Sequence, residues 1–151
     1  MYFWNINKLK SDFKEGSVTE KNILQYLIAY TVLVGITMIP YGETNQFDMI
    51  SAALMIPISI LGILYTYACN GGEAGDNFLA KYFAIGWVVT IRFVAAFIPV
   101  MFVLGIIVGL SGTEIPENTA LWDVFLEVTI TAVLFWRIGV HIKQTIIANT
   151  V

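Results

Sequence analysis

The chain has 151 residues, 58% of them hydrophobic and 13% charged, with a mean hydropathy of +0.76 and a formal net charge of −3. A soluble domain of this size needs a charged shell, because a small globule has much surface for its volume. This composition excludes an ordinary soluble globule, and it gives no basic excess that would suggest a nucleic-acid partner. The single cysteine, Cys69, excludes an intrachain disulfide and a CxxC redox centre. It reads as a small hydrophobe at a helix end.

The first 20 residues are polar and mixed in charge, without the apolar core or cleavage site of a signal peptide. Tyr2, Ile6, Leu9 and Phe13 recur at i, i+4, i+7 and i+11, one face of a helix. The pattern predicts an amphipathic helix over residues 2–14, lying in the inner membrane surface and anchoring the chain there. A docking helix for a cytoplasmic partner is the alternative. Gly16 ends it, and Ser17-Val-Thr-Glu20 reads as a capping box that opens the next helix. Residues 1–16 therefore form a cytoplasmic interfacial helix, and residues 17–151 a membrane domain.

Four apolar runs follow, from about Asn22 to Pro40, Met49 to Cys69, Phe78 to Leu110 and Ala120 to Val140. Each is near the ~20 residues that cross a bilayer as a helix. Four strands could not close a barrel, and open edges are not tolerated in lipid. The expected fold is all-α, an integral membrane bundle of four transmembrane helices behind the short interfacial helix. Lys8, Lys10, Lys14, Lys21, Lys81, Arg137 and Lys143 fall on one side of such a topology, and Glu43, Asp48, Glu114, Glu117 and Asp123 on the other. Positive residues favour the cytoplasm, so both termini are expected there, in a plasma membrane of bacterial inner-membrane type. Tyr41 and Trp122 would mark the outer boundary, and Tyr65, Tyr67, Tyr82 and Trp136 the inner one.

The hairpin "NGGEAGDN", residues 70–77, contains the glycines of an anion-binding turn. It lacks a GK[ST] ending and a preceding strand, and Glu73 and Asp76 would repel a phosphate. A helix–turn–helix connection accounts for it better, with Gly71 ending one span and Asp76 capping the next.

Arg92 lies 11 residues beyond Lys81, about 16 Å of helix rise and close to mid-bilayer. A charge there should face protein or water and have a partner. Glu127, the acid set well inside another span, is the expected partner. Asp123, Glu127 and Thr131 share one helix face. With Glu114 and Glu117 they suggest an outer vestibule leading down to Arg92. The pair reads either as a structural tie between spans three and four or as the polar centre of a transport path.

Pro57 and Pro99 sit inside spans and predict kinks. Gly105 and Gly109 form a GxxxG pair that permits close helix packing, within the bundle or between subunits. His141 is the sole histidine, which leaves no bis-histidine haem site and no metal-ligand spacing. No cofactor, metal or enzymatic activity is expected. The expected partners are the lipid bilayer and either further copies of the chain or another membrane protein. The alternative is a small oligomeric transporter or channel built around Arg92 and Glu127. Span count alone assigns no family.

Overall fold

The computed structural model describes residues 2–37, 44–112 and 118–146. Five α-helices follow one another: α1 (Ile6–Lys14), α2 (Glu20–Thr37), α3 (Gln46–Cys69), α4 (Phe78–Ser111) and α5 (Leu121–Lys143). A short 3-10 turn, Gly72–Ala74, lies between α3 and α4, and no strand occurs among the described residues. Tyr41, Glu43, Glu114 and Glu117 lie outside the described residues.

Three helices, α3, α4 and α5, are long and apolar enough to cross a membrane. The expectation of four is met only in part. α2 has 18 residues, but it opens on Glu20-Lys21-Asn22, and that polar turn dilutes its apolar content. α4, at 34 residues, is about 51 Å long, well beyond the ~30 Å hydrocarbon core of a bilayer. Both α3 and α4 continue through their internal prolines, Pro57 and Pro99.

Two of the expected caps are shifted. Thr19, rather than Ser17, opens α2: its hydroxyl accepts from the Asn22 N–H at 3.4 Å, while Ser17 Oγ donates to the Asp12 carbonyl. Asn77, rather than Asp76, stands at the N-cap of α4, with left-handed backbone at φ 51°. Asp76 is drawn away by Lys81, as described below. Gly71 ends α3 at φ 95°, a conformation that glycine adopts without steric cost.

The helices pack in the order α2–α4–α5–α3, with α1 laid on α4. The α3–α5 pair is the most extensive. Ser51 meets Glu127, Gly62 meets Phe135 and Tyr65 meets Gly139, so these two helices run parallel. A Cβ on Gly62 would fall within the Phe135 ring, and one on Gly139 against Tyr65. Each helix thus offers a glycine to the other's aromatic ring, which is how two spans approach closely without a hydrophobic drive between them. α4 runs antiparallel to α5, with Gly86 beside Ile138. The space between α2, α3, α4 and α5 contains a partly open cavity of about 230 Å³.

The buried core sits at the end carrying α1. Ile6 and Leu9 of α1, Tyr26 of α2, residues 84–85 and 87–89 of α4, and Ile138 and Ile142 of α5 form one cluster. Ile6 and Leu9 are 2% and 1% exposed, a burial that stabilises by about 1.5–3 kcal/mol for each such side chain. The apolar face expected of α1 is present, but this chain's own helices cover it rather than lipid. Elsewhere α3, α5 and the C-terminal half of α4 expose large apolar side chains, among them Met49, Ile56, Leu61, Phe102, Leu110 and Phe125. Water would not tolerate so much apolar surface. A bilayer would.

Candidate functional site

Arg92 and Glu127 are not brought together. The Arg92 guanidinium donates from Nε, at 3.0 Å, and from Nη2 to the backbone carbonyl of Trp4, and its carbon stands 5.5 Å from the centre of the Trp4 ring. Glu127 instead accepts from the Ser51 hydroxyl across the α3–α5 contact. The reason is angular as well as axial. Glu127 turns toward α3, whereas Arg92 projects on the α1 side of α4. Along the helices, Thr90 shares a cavity wall with Thr131 and Leu134 of α5, so Arg92 stands level with them rather than with Glu127.

The acidic stripe divides into three unrelated positions. The Asp123 carboxylate accepts from the Ala120 N–H at 2.8 Å and so closes the first turn of α5. Glu127 holds Ser51, and Thr131 faces the central cavity. With Glu114 and Glu117 outside the described residues, no vestibule is formed by those that are described. A cluster the sequence did not reveal ties the same end instead. Thr119 Oγ donates to Asp48 Oδ1 at 2.6 Å, Asn45 Nδ2 donates to the Thr119 carbonyl at 2.8 Å, and Asp48 Oδ2 accepts from the Asn45 N–H. These bonds fix the start of α3 to the start of α5.

At the other end, Lys81 is 2% exposed. Its ammonium donates to Asp76 Oδ1 at 2.8 Å and to Asn70 Oδ1 at 3.2 Å. A buried ammonium needs such partners, since desolvation without them is expensive. The bond and charge of Lys81 hold the Asp76 carboxyl below the ordinary aspartate range. This requirement explains both the departure of Asp76 from the N-cap and the close fold of the hairpin. The loop is a structural clasp.

Beside α1 the surface is basic. Lys10 Nζ donates to Gln144 Oε1 at 2.7 Å, and desolvation together with the charges of Lys14 and Arg92 lowers its proton affinity. Tyr2 donates to Asp12 Oδ2 at 2.7 Å, which raises the phenol's pKa, while its N–H donates to the Tyr26 hydroxyl at 2.6 Å. Two buried ring nitrogens in this region, Trp87 Nε1 and His141 Nδ1, have no hydrogen-bond partner.

Gly105 and Gly109, the expected packing glycines, touch nothing among the described residues beyond their own helix: a Cβ on either would meet no such atom within 4 Å. No residue of α4 from Thr90 onward is buried. The glycines that do carry packing, Gly62 and Gly139, lie outside any GxxxG motif. Tyr82 lines the cavity between the helices, while Tyr65 packs on Gly139. Among the described residues no group of three His, Cys, Asp or Glu side chains could hold a metal ion. The chain matches no protein-family model, and no curated protein or solved structure matches it.

Proposed function

We propose that the protein is a multi-pass membrane protein that acts, without enzymatic activity, by associating with a second copy of itself along the C-terminal half of α4. The observation that carries this reading is the bare state of that half-helix. α4 contains an 18-residue apolar stretch of which no residue is buried in the chain, and Gly105 and Gly109 lie within it facing open space. Lipid covers apolar side chains as well as leucine does, so exposure alone demands no partner. A glycine pair one helical turn apart is different. It forms a shallow groove that lipid tails fill poorly and that an identical helix fills by close backbone approach. A two-fold contact of this kind is self-complementary, which favours a second copy over an unrelated partner.

Crosslinking tests the assignment. In a Cys69→Ser background, Gly105→Cys and Gly109→Cys should form disulfide-linked dimers in native membranes. Ile107→Cys, on the opposite side of the helix, should not. Equal crosslinking at all three positions, or at none, would remove the reading.

The same proposal takes α2 as a fourth span and places both termini in the cytoplasm of a bacterial-type inner membrane. The distribution of lysine and arginine supports it. The α2 helix is about 27 Å long over its 18 residues, close to one bilayer core. Reporter fusions at Thr44, Gly75 and Glu114 check the topology, since only the Gly75 fusion should report cytoplasm.

A further inference from the structure

Five hydroxyl-bearing side chains from four helices line the central cavity: Tyr30 of α2, Ser59 of α3, Tyr82 and Thr90 of α4, and Thr131 of α5. Its volume is about 230 Å³, room for several water molecules at ~30 Å³ each. Elsewhere in the chain the hydroxyls of Thr66, Thr129 and Thr145 donate back to carbonyls of their own helices at 2.7–2.9 Å. The five cavity hydroxyls do nothing of the kind. Among the described residues none of them hydrogen-bonds to another group of the protein, although each is a donor and an acceptor.

Hydroxyls that converge on one space among apolar helices, unbonded to the protein, require a polar occupant. The wall contains no carboxylate, ammonium or guanidinium. An ion would therefore find no counter-charge there, and the occupant is uncharged. Met55, Leu134, Phe135 and Ile138 supply the apolar part of the lining, and the space stays partly open because α2 and α3 hardly touch among the described residues. These side chains offer apolar surface to the carbon skeleton of a ligand whose hydroxyls reach the five polar groups.

We infer that this cavity is a hydrated binding site for a small uncharged solute of polyol chemistry, which displaces the water on entry. The site stands on α2, α3, α4 and α5 of one chain and does not depend on how copies associate.

Thiol accessibility in liposomes tests it. In a Cys69→Ser background, Ser59→Cys, Thr90→Cys and Thr131→Cys each place one thiol in the cavity, and Ile98→Cys, on the bare side of α4, is the lipid-facing control. A small hydrophilic methanethiosulfonate should label the three cavity thiols about tenfold or more faster than the control, because the reactive thiolate forms only where water reaches. Glycerol should then slow labelling of the cavity thiols severalfold, and sucrose at equal osmolarity, too bulky for the space, should not. Cavity thiols as slow as Ile98→Cys would overturn the hydration, and labelling that glycerol leaves unchanged would overturn the solute assignment. Should a substitution disturb folding, hydroxyl-radical footprinting of the unsubstituted protein decides the hydration. Met55 in the cavity wall should oxidise faster than Met101 on the bare face, and the reverse order would contradict the inference.

Discussion

Arg92 holds the backbone carbonyl of Trp4, 88 positions earlier in the chain. A permanent charge within an apolar helix is thus met by a peptide oxygen and an indole ring rather than by a carboxylate. The bond fastens the amino-terminal segment onto α4. Phe3, just before it, sets its ring 6.0 Å from that of Trp87, and α1 then lays Ile6 and Leu9 into the core. Arg92 is therefore a clamp for α1.

Replacing Arg92 should release that segment. Arg92→Ala leaves the Trp4 carbonyl without its charged donor, and a hydrogen bond to a charged group contributes about 1.5–3 kcal/mol. Thermal unfolding in detergent should occur at lower temperature, and limited proteolysis should cut within residues 1–16 first. Glu127→Gln should leave both readouts unchanged, since an amide oxygen still accepts from Ser51. A charge-swapped Arg92→Glu, Glu127→Arg protein should be no more stable than Arg92→Glu alone. Rescue by the swap would restore the ion pair that the geometry separates.

The glycines make opposite predictions. Gly139→Ala drives a Cβ against the Tyr65 ring, with the Cys69 sulfur 3.1 Å away, and overpacking of this kind costs about 1–3 kcal/mol. Gly109→Ala meets nothing among the described residues and should leave the stability of the dispersed protein unchanged or slightly raised. Equilibrium unfolding of the two variants in the same detergent separates them.

Acid should loosen the α3–α4 hairpin. Lys81 lowers the Asp76 pKa below its ordinary value of 3.8. The stabilisation is thus complete above that value and is lost as the pH falls through the depressed one. Asp76 is 77% exposed, so solvent screening limits the pair to about 1 kcal/mol or less. Asp76→Asn should show the lower stability already at neutral pH and lose this part of the acid dependence. Unfolding midpoints measured from pH 6 to pH 2 would check the sign.

Much of the fold is legible in the sequence because lipid imposes a simple rule on it. Long apolar runs must be helices, and their ends fall where polar residues and glycines stand, as at Asn45, Gly71 and Gly112. The amphipathic period of α1 likewise identified Ile6 and Leu9 as one buried face. The site was less legible, because side-chain depth along separate helices says nothing about rotation around them. Arg92 and Glu127 suit one another by sign and by approximate depth, yet they stand at different levels and point to different neighbours. The backbone carbonyl of Trp4 carries no residue-type signal at all. Gly62 and Gly139 matter through the rings opposite them, which no spacing rule on a single helix reveals. The cavity shows the same difficulty: Tyr30, Ser59, Tyr82, Thr90 and Thr131 are unremarkable one by one and meet only through the packing of four helices.

Whether α4 joins two copies of the chain can be read by counting subunits in liposomes. Fluorescently labelled protein, reconstituted at low density, should bleach in two steps per particle. A Gly105→Leu, Gly109→Leu variant should bleach in one step while keeping the unfolding temperature of the wild type in detergent. Wild-type protein that bleaches in single steps at every density, or a double variant that still bleaches in two, would contradict the account.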